Sequence, residues 1–408
     1  MTELWISGGG LAGLATFIAL KNICGIQANI LESKSQLQGD TGTLIALWPN
    51  GLRALQAIDY SLYSEILETG CKIRAITSVR GTTESRMPVD YESKYGQPFL
   101  CIRWSTLHSL LAKRVPPSRI YLQHTTCQVH ERNDRVIIET TTRKSDENSS
   151  NEDGEEKEAF VGRALIVADG VGSLIRKYVL NEVGMQHLID PIYAGRMIVR
   201  AVLQPDELEK NSSASIPSLE NESIFFFSAD GKKVGSLSSL ERGQMYWALT
   251  LDRPAIDYSI KHKQRLLEES EFSPALTQAI AATPADRIQA RPLYEMQPVP
   301  RYAKGNVVLI GDAAHAVIPS LGQGANMAFE DALVLSQCIK NEDDNLASAF
   351  SSFEQKRTTR CGLVQEESIR AGKRSRQVKD EDVSTTPPFE SYEKFLEYLL
   401  NFDPDRVE

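Results

Sequence analysis

The chain is short of the features that mark several protein classes. Its 408 residues include only six cysteines and six histidines, and no two cysteines form a CxxC pair. Cys24, Cys71, Cys101, Cys127, Cys338 and Cys361 are widely scattered, and no histidine joins a cysteine or carboxylate at metal-ligand spacing. No metal is expected. No secretory signal is read ahead of the cysteines, so they are taken as reduced thiols of a cytoplasmic protein. No apolar run approaches the ~20 residues that a membrane-spanning helix needs, so no integral membrane segment is expected. A basic surplus is also missing. The formal net charge of -9 argues against general affinity for nucleic acid, whose phosphates call for a positive surface.

What is present is ordinary for a globular enzyme, with 41% hydrophobic and 24% charged residues. The length supports two or three domains with a substantial core. The first distinctive signal is Gly8-Gly9-Gly10-Leu11-Ala12-Gly13. It follows the apolar run Leu4-Trp5-Ile6-Ser7 and precedes helical spacing from Leu14 to Leu20. Gly8 permits a tight strand-to-helix turn, Gly10 lets backbone approach a pyrophosphate, and Gly13 lets helix pack on strand. The free N–H groups of the helix start, with Leu11 and Ala12, would face the phosphates. A second strand, Ala28 to Leu31, ends at Glu32 beside Ser33, about 20 residues past the glycines, where an acid can accept ribose hydroxyls.

The second signal arrives nearly three hundred residues later. Asn306-Val307-Val308-Leu309-Ile310 reads as a buried strand that empties into Gly311-Asp312-Ala313-Ala314-His315. Asp312 can accept a hydrogen bond from a ribityl chain, and the alanines leave room for a flat ligand. His315 reads as structural. The loop Pro319-Ser320-Leu321-Gly322-Gln323-Gly324-Ala325-Asn326 then opens another helix, whose early Glu330 and Asp331 suit its dipole. Two grips so far apart imply one long cofactor held from both ends, most simply FAD. The N-terminus of the second helix would stabilise negative charge on a reduced flavin ring.

Between the grips, Trp48-Pro49-Asn50-Gly51 is expected to start a helix, followed by strand-rich sequence from Cys71 to about Leu100. Cys101 to Ser105 reads as a loop carrying Arg103, with Ser105 capping the helix through Leu107, Leu110 and Leu111. Strands are expected at Ile120-Leu122 and Arg135-Glu139. The polar run Lys144 to Glu158 reads as a solvated hairpin tip. Ala164 to Val167 forms a strand that ends at Asp169-Gly170, where open α/β sheets place ligand contacts. From about Tyr178 to Pro284 the alternating runs at Ile198-Val199, Ser223-Phe227, Gly235-Leu240 and Tyr246-Leu251 describe an inserted sheet. A helical stretch from about Lys261 to Ala282 closes it. The basic segment Arg370 to Lys379 reads as a solvated face. Pro387-Pro388 breaks the chain before an amphipathic segment, Tyr392 to Leu400, that packs on the body or on another subunit.

The fold class expected is therefore α/β, with a Rossmann-like FAD-binding domain and an inserted β-sheet substrate domain. The FAD-binding domain is assigned residues 1–71, 101–178 and 285–375. The substrate domain is assigned 72–100 and 179–284, leaving 376–408 as a C-terminal helix and tail.

Taken together, Gly8 to Gly13 with Glu32, Ala168-Asp169-Gly170, Gly311 to His315 and Pro319 to Asn326 resemble the single-component FAD-dependent aromatic hydroxylases. These are the para-hydroxybenzoate hydroxylase-like, or group A, flavoprotein monooxygenases. Leu47 to Gly51 and Arg103 are similar to the branch with salicylate, 6-hydroxynicotinate and urate hydroxylases and zeaxanthin epoxidase. The resemblance spans roughly residues 1 to 375 and is more specific for fold and flavin than for substrate. It implies a cycle in which NADPH or NADH reduces FAD, O2 adds at flavin C4a, and the hydroperoxide hydroxylates or epoxidises a small or polycyclic aromatic substrate. Specialised metabolism or antibiotic modification would be a setting for it.

By the same resemblance, Gly13 and Glu32 would hold the ADP half, and Arg103 the pyrophosphate or ribityl region. Asp312 would hold the ribityl chain, Gly322 to Asn326 the flavin ring, and Asp169 the pyrophosphate or the nicotinamide nucleotide. Pro319 would border the oxygen-transfer space. No residue is singled out as a general base. Where relatives commonly show Trp-Arg-Gly, this chain has Ile198-Val199-Arg200-Ala201, so a differently shaped pocket is expected. Arg196, Arg200, Phe225, Tyr246 and Trp247 are the substrate candidates, and strand alternation means that neighbours among them point to opposite faces. Three other readings stay open: a flavin-dependent reductase or desaturase on the same fold, or a non-catalytic flavin-binding protein. A halogenase is disfavoured because Trp-x-Trp-x-Ile-Pro is missing. A monomer or homodimer is expected.

Overall fold

Leu4–Ser7, Asn29–Glu32 and Ala164–Val167 are buried at every position, which is what strands covered on both faces require. In the computed structural model, which describes residues 4–37, 43–143, 155–181, 184–210, 219–342, 345–375 and 389–406, they form the centre of a six-stranded sheet. Its order is Ala303–Lys304, Val307–Leu309, Ala164–Val167, Leu4–Ser7, Asn29–Glu32, Ile120–Leu122. Every pairing is parallel except the Ala303–Lys304 edge. The helix Leu11–Cys24 is buried along most of its length because it is sandwiched between this sheet and the helix Gly324–Asn341. Gly25 ends it in the left-handed conformation, with its N–H on the Lys21 carbonyl.

The inserted sheet has seven strands in the order Gln289–Glu295, Ile192–Leu203, Met245–Asp252, Lys233–Ser239, Glu222–Phe227, Ala75–Arg80, Thr83–Pro88. Its edge strand Gln289–Glu295 lies beyond residue 284, where the sequence boundary was drawn. Alternation sorts its side chains. Met197, Val199, Ala201, Trp247 and Leu249 pack on Leu266, Leu276 and Ile280 of two covering helices. Ile198, Val202, Tyr246 and Ala248 lie on the other face against Phe99, Cys101, Trp48 and Tyr91.

Several local expectations change. Leu100–Arg103 is a strand paired with Leu44–Leu47, not a loop, and the next helix starts at Trp104. Ser105 is therefore not its cap. The Glu241 carboxylate reaches the helix start from the inserted sheet, accepting from Arg103 N at 3.1 Å and Thr106 Oγ1 at 2.7 Å. The expected Lys261–Ala282 helix is two helices, Lys263–Glu269 and Pro274–Ala282, since Pro274 cannot continue a helix and Ser273 caps a new one. Tyr60–Thr69 is an additional helix, capped by Asp59, and Thr125–Arg132 an additional strand.

Of the polar run 144–158, residues 155–158 begin the strand Glu155–Gly162, which pairs with Arg135–Arg143. Residues 144–154 lie outside the described residues, as do Lys379 and Pro387-Pro388. Arg370 is buried and paired with Glu367 rather than solvated. Tyr392–Leu400 packs on the body through Phe395, Leu399 and Leu400, and Arg53 donates to the Leu400 carbonyl at 2.6 Å. Among the described residues no helix is long and apolar enough to cross a membrane.

Candidate flavin cleft

The neighbouring parallel strands Leu4–Ser7, Ala164–Val167 and Val307–Leu309 all end on one edge of their sheet, and each empties into a turn singled out by sequence: Gly8, Asp169 and Gly311-Asp312. The turns touch. Gly8 has φ +105, and a β-carbon there would stand 2.3 Å from the Ala168 carbonyl oxygen, so only glycine fits. A β-carbon at Gly311 would lie 3.1 Å from that of Ala12, and one at Gly324 would lie 3.7 Å from Asp312 Oδ1. The two grips, remote in sequence, thus form one cleft.

Arg176, which the sequence reading passed over, joins two of these turns. It is fully buried and spends its guanidinium on backbone carbonyls: Ala313 at 2.8 Å, Val171 at 2.8 Å, Ile189 at 3.0 Å, Asp312 at 3.2 Å and Gly170 at 3.3 Å. The signal that could have found it is its position seven residues after Asp169. A charge so placed ties the Asp169-Gly170 turn to the Asp312-Ala313 turn while leaving both carboxylates without a full salt bridge. Burial pushes the Asp169 carboxyl up to about 6 against the pull of Ser173 and Arg176. Burial also raises Asp312, against His315 and Arg176, although its side chain still reaches solvent from the floor of the cleft.

The flavin-loop candidates are stitched to the Trp48-Pro49-Asn50-Gly51 segment. Asn326 accepts from Trp48 N at 2.9 Å and donates to the Ala46 and Gly322 carbonyls at 2.9 and 2.8 Å. A β-carbon on Gly51 would fall 2.1 Å from Asn326 Oδ1, which explains the glycine. Asn50 Nδ2 donates to Glu330 Oε1 at 2.8 Å and to Gln323 Oε1 at 3.0 Å. Because an ionised Glu330 only accepts, Asn50 must present its amide nitrogen, and Gln323 must answer with its oxygen. The Gln323 N–H2 is left facing away, buried and without an acceptor among the described residues.

Glu330 and Asp331, expected to serve the helix dipole, are instead wholly buried in an ion network. Arg357 donates to Glu330 and to Asp331, each at 2.7 Å, and Arg360 to Glu330 at 2.7 Å. Asp331 also accepts from Gly311 N at 2.8 Å and lies 2.6 Å from His315 Nε2. Burial opposes the Asp331 charge, but His315 and Arg357 outweigh it and hold the carboxyl at about 2. Burial likewise opposes a charged His315, yet Cys361 and Asp331 raise its pKa well above the usual imidazole value. His315, Asp331 and Cys361 bring three ligand-type atoms within 4.8 Å of one another, but the Arg357 cation on Asp331 and the His315 contact occupy that carboxylate.

The remaining candidates divide. Glu32 accepts from Gly9 N at 2.8 Å and Lys34 N at 2.9 Å, with Ser33 Oγ at 3.2 Å. It therefore stands at the glycine turn, on the edge where Gly10 faces open space. Arg103 sits at the start of its helix, held through its backbone by Glu241. Pro319 is exposed beside Ile318, whose carbonyl accepts from Ser368 at 3.0 Å. Arg200, Phe225 and Tyr246 share the sheet face that looks toward the flavin loop, and Arg200 hydrogen-bonds Tyr246. Trp247 does not belong with them, because it is buried on the opposite face and donates to Thr283 Oγ1 at 2.8 Å. Arg196 is engaged by Asp252 at 2.9 Å.

These residues fit FAD. The glycine turn leaves space for backbone-bound phosphates, the two raised carboxyls await hydroxyl donors, and the orphan Gln323 N–H2 suits a carbonyl-rich ring. A family model described as "FAD binding domain" matches residues 1–349. The chain belongs to this family, that of the group A flavoprotein monooxygenases. The flavoprotein is 27% identical over 372 residues to the aurachin C monooxygenase/isomerase of Stigmatella aurantiaca, covering 90% of this chain and 88% of that one. It is 27% identical over 365 residues to the 3-amino-4-hydroxybenzoate 2-monooxygenase of Streptomyces cremeus, covering 88% and 84%. Its fold is similar to Klebsiella pneumoniae HpxO complexed with FAD and uric acid, with a TM-score of 0.77 at 20% identity over 100% of this chain and 94% of that one. It is also similar to a salicylate hydroxylase substrate complex, with a TM-score of 0.75 at 18% identity over 99% and 96%.

Proposed function

We propose that this flavoprotein takes electrons from NADPH or NADH and uses O2 to hydroxylate or epoxidise a small or polycyclic aromatic substrate. The observation that carries the reading is the meeting of the Gly8, Asp169, Asp312 and Gly322–Asn326 segments opposite the Arg200, Phe225 and Tyr246 face of the inserted sheet. The named substrates of relatives, 3-amino-4-hydroxybenzoate and urate, are oxygen-bearing ring compounds. FAD, when bound, supplies hydride acceptance and oxygen activation.

The chain supplies placement and charge. The Gly8–Gly13 turn and the helix start after it receive the pyrophosphate, Glu32 the ribose, and Asp312 the ribityl hydroxyls. Arg103 neutralises phosphate, Asp169 meets the pyrophosphate or the incoming nicotinamide nucleotide, and the Gly322–Asn326 helix start lies against the ring. Pro319 borders the space for oxygen transfer. Residues 1–71, 101–178 and 285–375 would form the FAD-binding domain. Residues 72–100 and 179–284, joined by the strand Gln289–Glu295, would form the substrate domain that shuts water out. A cytoplasmic location and a monomeric or homodimeric state belong to the same proposal.

The test begins with FAD reconstitution, where a yellow protein is expected. NADPH or NADH should bleach it faster with a suitable aromatic present, and product formed under labelled oxygen should carry one labelled atom. Protein that stays colourless overturns the cofactor assignment, and unlabelled product overturns monooxygenation.

A further inference from the structure

Trp48 lies between the flavin loop and the substrate sheet. Its indole stacks near Tyr91 at 5.6 Å and Phe99 at 4.6 Å, in the same apolar cluster as Tyr246 and Ala248. Its Nε1 stands 3.1 Å from where a β-carbon on Gly322 would be. That N–H is buried and finds no acceptor among the described residues. A buried indole N–H usually finds a partner, and leaving one stranded is costly. Arg200 presents a second such group on the facing sheet: its Nε is buried and unpartnered while the guanidinium is steadied by Tyr246. Between Arg200 and Ser236, Ala248 keeps the sheet surface low. Indole and guanidinium can only donate.

We propose that Trp48 is a specificity-determining residue whose N–H, opposed by Arg200, selects aromatic substrates bearing a carbonyl, phenolate or carboxylate acceptor and discriminates against the bare hydrocarbon. This rests on the reading of the cleft as a flavin and substrate site. Trp48 packs both on the core of the flavin-binding half and on the substrate sheet, and its acceptor is assigned to the substrate because the Gln323 N–H2, turned by the Asn50–Glu330 relay, already offers the flavin ring a donor.

The test uses the FAD-loaded full chain and the flavin absorption spectrum as readout, titrated with 1-naphthoate, 1-naphthol, 4-hydroxybenzoate and naphthalene. Oxygenated probes should perturb the spectrum and naphthalene should not. Trp48→Phe keeps the ring and removes the N–H. It should weaken the oxygenated probes about tenfold, with FAD retention and flavin reduction potential unchanged. Naphthalene binding as well as its oxygenated derivatives, or no probe binding at all, overturns the proposal. So does a Trp48→Phe protein in which FAD retention or potential shifts while probe affinity holds, since the acceptor is then the flavin. If Trp48→Phe fails to fold, Trp48→Leu, which also removes the N–H, is read in the same titrations against the same outcomes. Failure of the flavin reading itself shows earlier, as protein that takes up no FAD.

Discussion

Two pairs of carboxylates, only a few ångströms of backbone apart, are treated in opposite ways. Glu330 and Asp331 are buried but satisfied, and Arg357, Arg360 and His315 keep them ionised below their usual range. Asp169 and Asp312 are crowded by protein atoms with too little compensation, and both are pushed upward. Arg176, the cation nearest to the second pair, is spent on carbonyls. The first pair completes a network that holds the Gly311 turn and the flavin loop on the long helix Leu346–Ser375. The second leaves its requirements for a ligand to meet. Perturbation without full charge compensation is what separates a binding site from scaffolding here.

The largest test of this contrast is Arg357→Ala, which removes the buried cation shared by two buried acids. It should lower unfolding free energy by about 3–5 kcal/mol in denaturant titration. A loss under about 1 kcal/mol would erase the distinction. Asp312→Asn should act the other way round. FAD affinity should fall roughly ten- to a hundredfold, measured by equilibrium dialysis, because a charge-assisted acceptor is lost. The stability of the FAD-free protein should hold or rise. Equal losses of affinity and stability would place Asp312 with the scaffold.

Asp169→Asn should give the smallest effect and a diagnostic sign. A carboxyl raised from 3.8 to about 6 on folding binds more protons in the folded state between those values. Stability therefore declines as pH rises through that window, and the cost is complete above it. Removing the charge should stabilise FAD-free protein by about 1–2 kcal/mol near pH 8 and by nothing near pH 3. Asp331 has the reverse linkage: its contribution is present above the ordinary carboxyl range and is lost only as pH falls through about 2.

How far the sequence could be read follows from the range of each interaction. The Gly8–Gly13 turn and the strands at Ala164–Val167 and Val307–Leu309 were legible because their glycines and apolar runs answer to neighbours in sequence. The helix Tyr60–Thr69 was legible in principle, since Asp59 caps it, and was missed. The start of the Trp104–Ala112 helix was not legible, because the carboxylate that holds Arg103 N and Thr106 Oγ1 there is Glu241, from the inserted sheet. Nor was Arg176, whose partners are backbone carbonyls from three separate stretches.

By itself the sequence determined the local backbone chemistry: where the glycine turns open and which ends of strands carry acids. Those outcomes depend on steric and capping preferences within a few residues. The tertiary structure alone decided that Trp247 faces away while Tyr246 and Arg200 face the flavin loop, and that Glu330 and Asp331 are paired but Asp169 and Asp312 are not. Facing and charge compensation depend on which distant segments arrive within a few ångströms, and no spacing along the chain encodes that.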